Sequence, residues 1–366
     1  MKILLIGKFP PMQGGIATKT YWLFKELEKK GFDFRSVTVE TEDYSIKGNN
    51  YNRSKTTVLK LKKSPWHIPE SELIGDRILS IALRIAESFN PDVIETNYLW
   101  PFCMPSVMVA DILGKPLIIR HAGSDIQKFI NDNKYRAIMK IYFKRATVVA
   151  TNHTVRHSIK KICDNYEKLN CLRRYIPNPE IFKPAKTEKI YDILFAGKIN
   201  FKWNLKGINY LIDLIKHRGL KSLFVIGGKF KDEILDIIKQ TETNNTIEVR
   251  DFVPPNLMPS IYNSCKYVWS WDEKESVEDF SNIIWEALFS GTSCIVNSEV
   301  NYRFLKEGIP TEFNQFICKI SSDKLIELKF DADIKKNDCL DREKVVIYDE
   351  YIKSNVALYE NLAKAI

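Results

Sequence analysis

The stretch "KILLIGKFPPMQGGIATKTYWLFKELEKKG" (residues 2–31) decides how the rest of the chain is read. Lys2–Gly7 is a nearly continuous apolar run, the pattern of a strand buried on both faces. A loop with two prolines and two glycines, Gly14 and Gly15, follows. From Ile16 the apolar residues Ile16, Tyr21, Leu23, Phe24 and Leu27 fall along one side of a helix, and Gly31 supplies its stop. "FDFRSVTVE" then reads as the next strand. The same strand–loop–helix rhythm returns at 91–98 ("PDVIETNY"), 115–123 ("KPLIIRHAG") and 146–152 ("ATVVATN"). Such alternation marks βαβ units around a parallel sheet.

Residues 175–189, "YIPNPEIFKPAKTEK", break the rhythm with three prolines and mixed charge, as a linker does. The alternation then restarts at "YDILFAGKI" (191–199) and continues to "TSCIVNSE" (292–299), with no internal repeat of short period. The expected fold is α/β, with two doubly wound Rossmann-like domains facing across a cleft. Residues 1–180 form the first domain and 181–345 the second. Residues 346–366 are read as a helical segment that packs back toward the first.

Composition agrees. A chain of 366 residues is long for one core, and 45% apolar with 28% charged residues suits a globular protein. The seven cysteines are scattered, without a CxxC pair or a Cys/His cluster, which argues for a reducing compartment and against a structural zinc site. "MKILLIGKFPP" is too short an apolar run for a signal peptide, and no window approaches a membrane span. The expectation is a cytoplasmic protein, peripheral at most on the inner face of the cell membrane. The net charge of +9 is uneven: residues 1–180 hold 29 Lys and Arg against 18 Asp and Glu, and residues 181–366 hold 26 against 28. An anionic partner for the first half fits that asymmetry as well as plain solvated faces do. No nucleic-acid-binding motif accompanies the charge, so nucleic acid is not expected.

In open α/β sheets, ligands sit at the carboxyl ends of strands, and four stretches stand there. Gly14 and Gly15 let backbone approach a ligand at a helix start, but the spacing is not GxGxxG, which disfavours a nicotinamide cofactor. "RHAGSDI" (120–126) presents His121 and Asp125 around a glycine, a pattern that also fits a purely structural histidine. In "FAGKINFKWNLKGI" (195–208) a strand ends at Gly197–Lys198, and Lys206 opens the next helix. Two lysines there suit a diphosphate. Finally "ESVEDFSNIIWEALFSGT" (275–292) places Glu278 before a short apolar helix and Glu286 within it. Ser281 or Asp279 can cap that helix near Asn282, and Gly291 can end it. A carboxylate inside an apolar run needs a partner, and a ribose diol is one. The N–H groups from Phe280 onward can hold a phosphate or a sugar hydroxyl.

Glu278 and Glu286, with seven residues between them and followed by "ALFSGT", resemble the signature of retaining GT-B glycosyltransferases of family 4, also called glycosyl transferases group 1. "PPMQGG" is similar to that family's N-terminal glycine loop and "RHAGSD" to its His-Gly-Asp segment. "IPNPEIFKP" resembles its entry to the second domain, and "FAGKI…LKGI" its Gly-Arg…Lys-Gly pair. The chain departs by carrying Lys198 for the usual arginine, Asp279 where glycine is common, and Pro179 for a glycine.

The resemblance implies transfer of a sugar from a nucleoside diphosphate sugar, with UDP-sugars favoured over GDP-sugars, to a glycan or lipid-linked glycan. Retention of configuration, no bound metal, no cofactor and a place in bacterial surface-glycan assembly come with it. His121, Lys198, Lys206 and Glu278 would be the catalytic group. Gly14, Gly15, Asp125, Gly197, Phe280, Ser281, Asn282 and Glu286 would hold the donor, with Glu286 on the ribose. The lysine-bearing stretches 53–66 and 139–149 are candidate contacts to an anionic membrane. A sugar-nucleotide epimerase of the same fold and a non-catalytic glycan-binding module are the alternatives.

Overall fold

A computed structural model describes residues 1–41, 54–61, 74–121, 125–126, 132–151, 153–162, 169–172, 174–199, 206–241, 246–273, 281–300, 310–328 and 338–364. The first half carries strands β1 (Lys2–Gly7), β2 (Asp33–Thr41), β3 (Thr56–Leu61), β4 (Val93–Asn97), β5 (Leu117–Arg120), β6 (Thr147–Ala150) and β7 (Leu169–Cys171). Its helices are α1 (Gly15–Lys29), α2 (Ile74–Phe89), α3 (Cys103–Leu113), α4 (Asn133–Lys144) and α5 (His153–Ile162). The second half carries β8 (Tyr191–Lys198), β9 (Ser222–Gly227), β10 (Ile247–Arg250), β11 (Cys265–Trp269), β12 (Ser293–Asn297) and β13 (Ile317–Ile320). Its helices are α6 (Ile208–Arg218), α7 (Lys231–Gln240), α8 (Met258–Asn263), α9 (Asn282–Phe289) and the long α10 (Asp338–Lys364).

The strands form two parallel sheets, in the orders β3-β2-β1-β4-β5-β6-β7 and β10-β9-β8-β11-β12-β13. In both the order reverses beside the first strand of the unit, between β1 and β4 and between β8 and β11. Ligand crevices open at such a reversal. Strand pleat splits each strand between two cores. Ile3 and Leu5 face α1, whereas Leu4 and Ile6 face α2 and α3. In the second sheet Ile193, Phe195, Phe224 and Ile226 face α6 and α7.

One core is common to both halves. Trp22 of α1 stacks edge-on against Phe182 of the connecting segment with ring centres 5.6 Å apart, and Phe182 lies 6.4 Å from Tyr262 of α8. Burying each such side chain contributes roughly 1.5–3 kcal/mol, so the aromatic joint ties the halves together. The joint continues into α10. Tyr359 donates to Glu95 of β4 at 2.5 Å, and Arg120 of β5 lies 3.0 Å from the same carboxylate. Burial disfavours the Arg120 charge, but Glu95 outweighs it and holds the guanidinium protonated.

Strands β3, β7 and β13 stand at sheet edges and were not expected from sequence. The lysine-bearing "TTVLKL", expected as a surface-active stretch, is β3, pairing with β2 in register Ser36↔Thr56 through Thr41↔Leu61. Residues 53 and 62–66 of the stretch 53–66 lie outside the described residues. Among the described residues no helix is long and apolar enough to cross a membrane.

Candidate functional site

The first wall of the site grows from the carboxyl end of β1. A side chain at Gly7 would meet the Asn97 Oδ1 at 2.3 Å, so only glycine lets β1 and the end of β4 close up. Asn97 uses that closeness. Its carbonyl oxygen accepts the Lys8 N–H at 2.6 Å, and its amide donates to the Lys8 carbonyl at 3.1 Å and to the Thr20 hydroxyl at 2.8 Å. The glycine loop is thereby fastened to both the neighbouring strand and α1. Gly14, the residue before α1, has φ 124° and ψ 162°, a conformation open essentially to glycine alone. Gly14, at the cap position, has no side chain with which to cap α1, a helix start suited to an outside acceptor.

His121 follows β5 directly and is buried. Asp125 is buried too, and its carboxylate accepts the Leu99 N–H at 2.8 Å. That bond staples the loop after β5 to the loop after β4. Asp125, expected on the donor, also clamps two loops together.

The second wall grows from β8. Gly197 and Lys198 end the strand beside Ile226 and Gly227 of β9. Lys206 and Gly207 open α6, whose start has no side-chain cap. Two tryptophans fix that start. The Trp269 indole donates to the Lys206 carbonyl at 3.0 Å, and the Trp271 ring occupies the place of a Gly207 side chain, 2.4 Å from where its Cβ would stand. Trp269 and Trp271 stack with ring centres 4.8 Å apart. Both glycine and left-handed backbone (φ 59°) are thus required at 207.

α9 begins at Asn282, as the sequence indicated, with Ser281 at the cap position. The Ser281 side chain does not make the expected capping bond. The end follows expectation: Gly291 has φ 73°, its N–H reaches the Leu288 carbonyl, and the Thr292 N–H reaches the Ala287 carbonyl, a Schellman stop. Glu278, Phe280 and Asp279 lie outside the described residues.

Glu286 lies within α9. It is 3% exposed, and its two oxygens accept hydrogen bonds from Tyr262 at 2.8 Å and Tyr175 at 3.2 Å. Burial pushes its carboxyl up to about 7, against the pull of the two tyrosine hydroxyls. An acid in an apolar run needs a partner, and here a tyrosine pair, one from α8 and one from the connecting segment, holds it.

The two walls meet. Asn282 Nδ2, at the start of α9, donates to the Gly15 carbonyl, at the start of α1, at 2.8 Å. Gln13 of the glycine loop comes within 3.1 Å of the place a Gly227 side chain would take, at the end of β9. The structure thus brings Gly14, Gly15, Ser281 and Asn282 together and sets Gly197, Lys198 and Lys206 on the same rim of the second sheet. Sequence reasoning missed Gln13, Asn97, Trp269 and Trp271. The alternation Trp-Ser-Trp at 269–271, which puts both rings on one face, was the available signal. Among the described residues no group of three or more His, Cys, Asp or Glu could hold a metal ion.

Residues 15–153 match the family model described as Glycosyl transferase 4-like. No curated protein matches the chain. Solved structures match over essentially its whole length. Sucrose-phosphate synthase from Thermosynechococcus elongatus is 15% identical, with a TM-score of 0.70 and 100% of each chain covered. HepE from Anabaena, in complex with UDP and glucose, is 13% identical, with a TM-score of 0.66 and 100% of each chain covered. TarM from S. aureus, a variant in complex with Fondaparinux, alpha-GlcNAc-glycerol and UDP, is 12% identical, with a TM-score of 0.67 and 99% of each chain covered. With two Rossmann-like parallel sheets and these structural neighbours, the chain has the GT-B fold, and residues 15–153 carry the Glycosyl transferase 4-like pattern.

Proposed function

We propose that this protein is a glycosyltransferase that moves a sugar from a nucleoside diphosphate sugar to a hydroxyl of a glycan or lipid-linked glycan, with retention of configuration, in surface-glycan assembly. One observation carries the reading. The Asn282–Gly15 bond brings two uncapped helix starts, one from each sheet, to the same place. Free N–H groups and the positive end of a helix favour anions. Lys198 and Lys206 add positive charge on the same rim and would neutralise the departing diphosphate, so that no metal is required for that task. HepE and TarM were each solved with UDP, which favours a UDP-sugar here.

In this reading Gly14, Gly15 and Gly197 give the phosphates close backbone approach, and Ser281 and Asn282 present N–H groups to the donor. His121 contacts the transferred sugar from the first domain, and Glu278 and Phe280 complete the sugar pocket. Glu286 acts through position: with Tyr262 and Tyr175 it sets the height of α9 against the connecting segment. A ribose reaching it would first have to open that tyrosine pair.

The test is turnover of a panel of nucleoside diphosphate sugars with and without glycan acceptors, read as free nucleoside diphosphate. Release from a UDP-sugar that depends on acceptor is the expected result. Conversion of the sugar without acceptor would make the protein an epimerase. Binding with no turnover across the panel would make it a binding module.

A further inference from the structure

Trp269, the last residue of β11, and Trp271, two residues on, are both buried. Their rings stack at 6° from parallel, and a third ring, that of the exposed Tyr210 on α6, stands 5.9 Å from Trp271. A buried indole needs an acceptor for its N–H. Each of these finds one on a different segment. Trp269 donates to the Lys206 carbonyl at 3.0 Å, between β8 and α6. Trp271 donates to the Glu273 carboxylate at 3.0 Å, between β11 and α9. The Asn297 amide, at the end of β12, holds the intervening Asp272 carbonyl at 3.0 Å. The stack is therefore pinned between two of the segments that build the second wall.

The Trp269 bond orients a donor. A trans peptide unit is planar, so its C=O and its N–H point in opposite directions. The Lys206 carbonyl and the Gly207 N–H belong to one such unit. With the carbonyl turned to Trp269, the Gly207 N–H points away from it. The Trp271 ring removes the remaining freedom. It stands where a Gly207 side chain would be and holds residue 207 in left-handed backbone, φ 59°. Peptide orientation and dihedral angle are thus both set at 206–207, and with them the point from which the Lys206 side chain leaves the chain.

We propose that Trp269 and Trp271 are positioning residues for the diphosphate: they act through Lys206 and the Gly207 N–H, holding an ammonium donor and a backbone donor ready for one anionic group. Donors fixed before the ligand arrives lose no freedom when it binds, which is a gain in affinity. A stack that served the core alone would leave nucleotide binding indifferent to it in any variant that folds. The inference rests on the transferase reading, since it needs a diphosphate on the second wall.

The experiment is a double-mutant cycle on UDP affinity, read by calorimetric titration. Trp269→Phe keeps a ring in the stack and removes the N–H, and Trp271→Leu removes the ring over Gly207. Each is made alone and in the Lys206→Ala background, and melting curves confirm folding. Each tryptophan variant alone should weaken UDP binding by about tenfold, and by about threefold or less in the Lys206→Ala background, where the side chain being held is gone. Losses that add in full in both backgrounds, or folded tryptophan variants that bind UDP like wild type, would overturn this inference and leave the nucleotide site standing. Folded wild type that binds neither UDP nor GDP nor ADP would overturn the transferase reading and this inference with it.

Discussion

The two sheets share one strand order, yet they hold their first loops in different ways. After β1 the loop ends at Gly14, where a side chain would find nothing within 4 Å. After β8 the loop ends at Gly207, where a side chain would strike the Trp271 ring. Glycine is needed at 14 for backbone conformation alone and at 207 for conformation and packing together. The comparison teaches that topology fixes where a site lies, while the packing behind each loop fixes how stiff its wall is. The second wall is clamped by the Trp269–Trp271 stack, and the first is held by Asn97 but open at its tip.

That contrast can be broken by matched substitutions. Gly207→Ala must pay left-handed strain and displace a stacked tryptophan, for a total of about 2–5 kcal/mol. Gly14→Ala meets strain without a clash, about 1–3 kcal/mol. Chemical denaturation should therefore rank Gly207→Ala as the more damaging, and equal losses would remove the distinction between the walls. The weaker change at 14 should still reduce nucleotide binding, because it moves the N–H groups at the start of α1.

The second wall also carries a pH signature. The Glu286 carboxyl titrates at about 7 in the fold and near 4.5 when unfolded. Between those values the folded state binds the extra proton, so stability is full below about 4.5 and falls as pH rises through about 7. The loss amounts to about 3 kcal/mol at most. Glu286→Gln keeps an acceptor for the tyrosine hydroxyls and has no charge to bury. The variant should match wild type near pH 4 and exceed its melting temperature near pH 8. Parallel melting profiles across that range would show that the Tyr262–Glu286–Tyr175 arrangement is not the one present in solution.

Much of this was legible in residues 2–31 and 191–228, where apolar runs, glycines and helical spacing announce the repeated unit. The missed strands are edge strands. β3 buries only Thr56 and Leu59 and carries the exposed Lys60, so its composition resembles a surface segment. An edge strand buries less and needs fewer apolar residues. The site was legible in part. Gly14, Lys206 and the limits of α9 follow from local rules of glycine and helix ends. The fate of Glu286 does not, since its partners stand 24 and 111 residues away. That the acid needed a partner could be read; which partner could not. The same holds for Asp125, whose Leu99 contact spans two loops.

The central claim is that the starts of α1 and α9, with Lys206 at the start of α6 on the rim of the second sheet, form a pocket for a nucleoside diphosphate. The most direct test is the melting temperature of wild type and Lys206→Ala during titration with UDP. A ligand at about 100 times its dissociation constant stabilises the fold by ~2.7 kcal/mol. The account predicts a saturable rise for wild type and a rise displaced to at least tenfold higher UDP for Lys206→Ala. No rise for folded wild type at millimolar UDP, or GDP or ADP in its place, would contradict it.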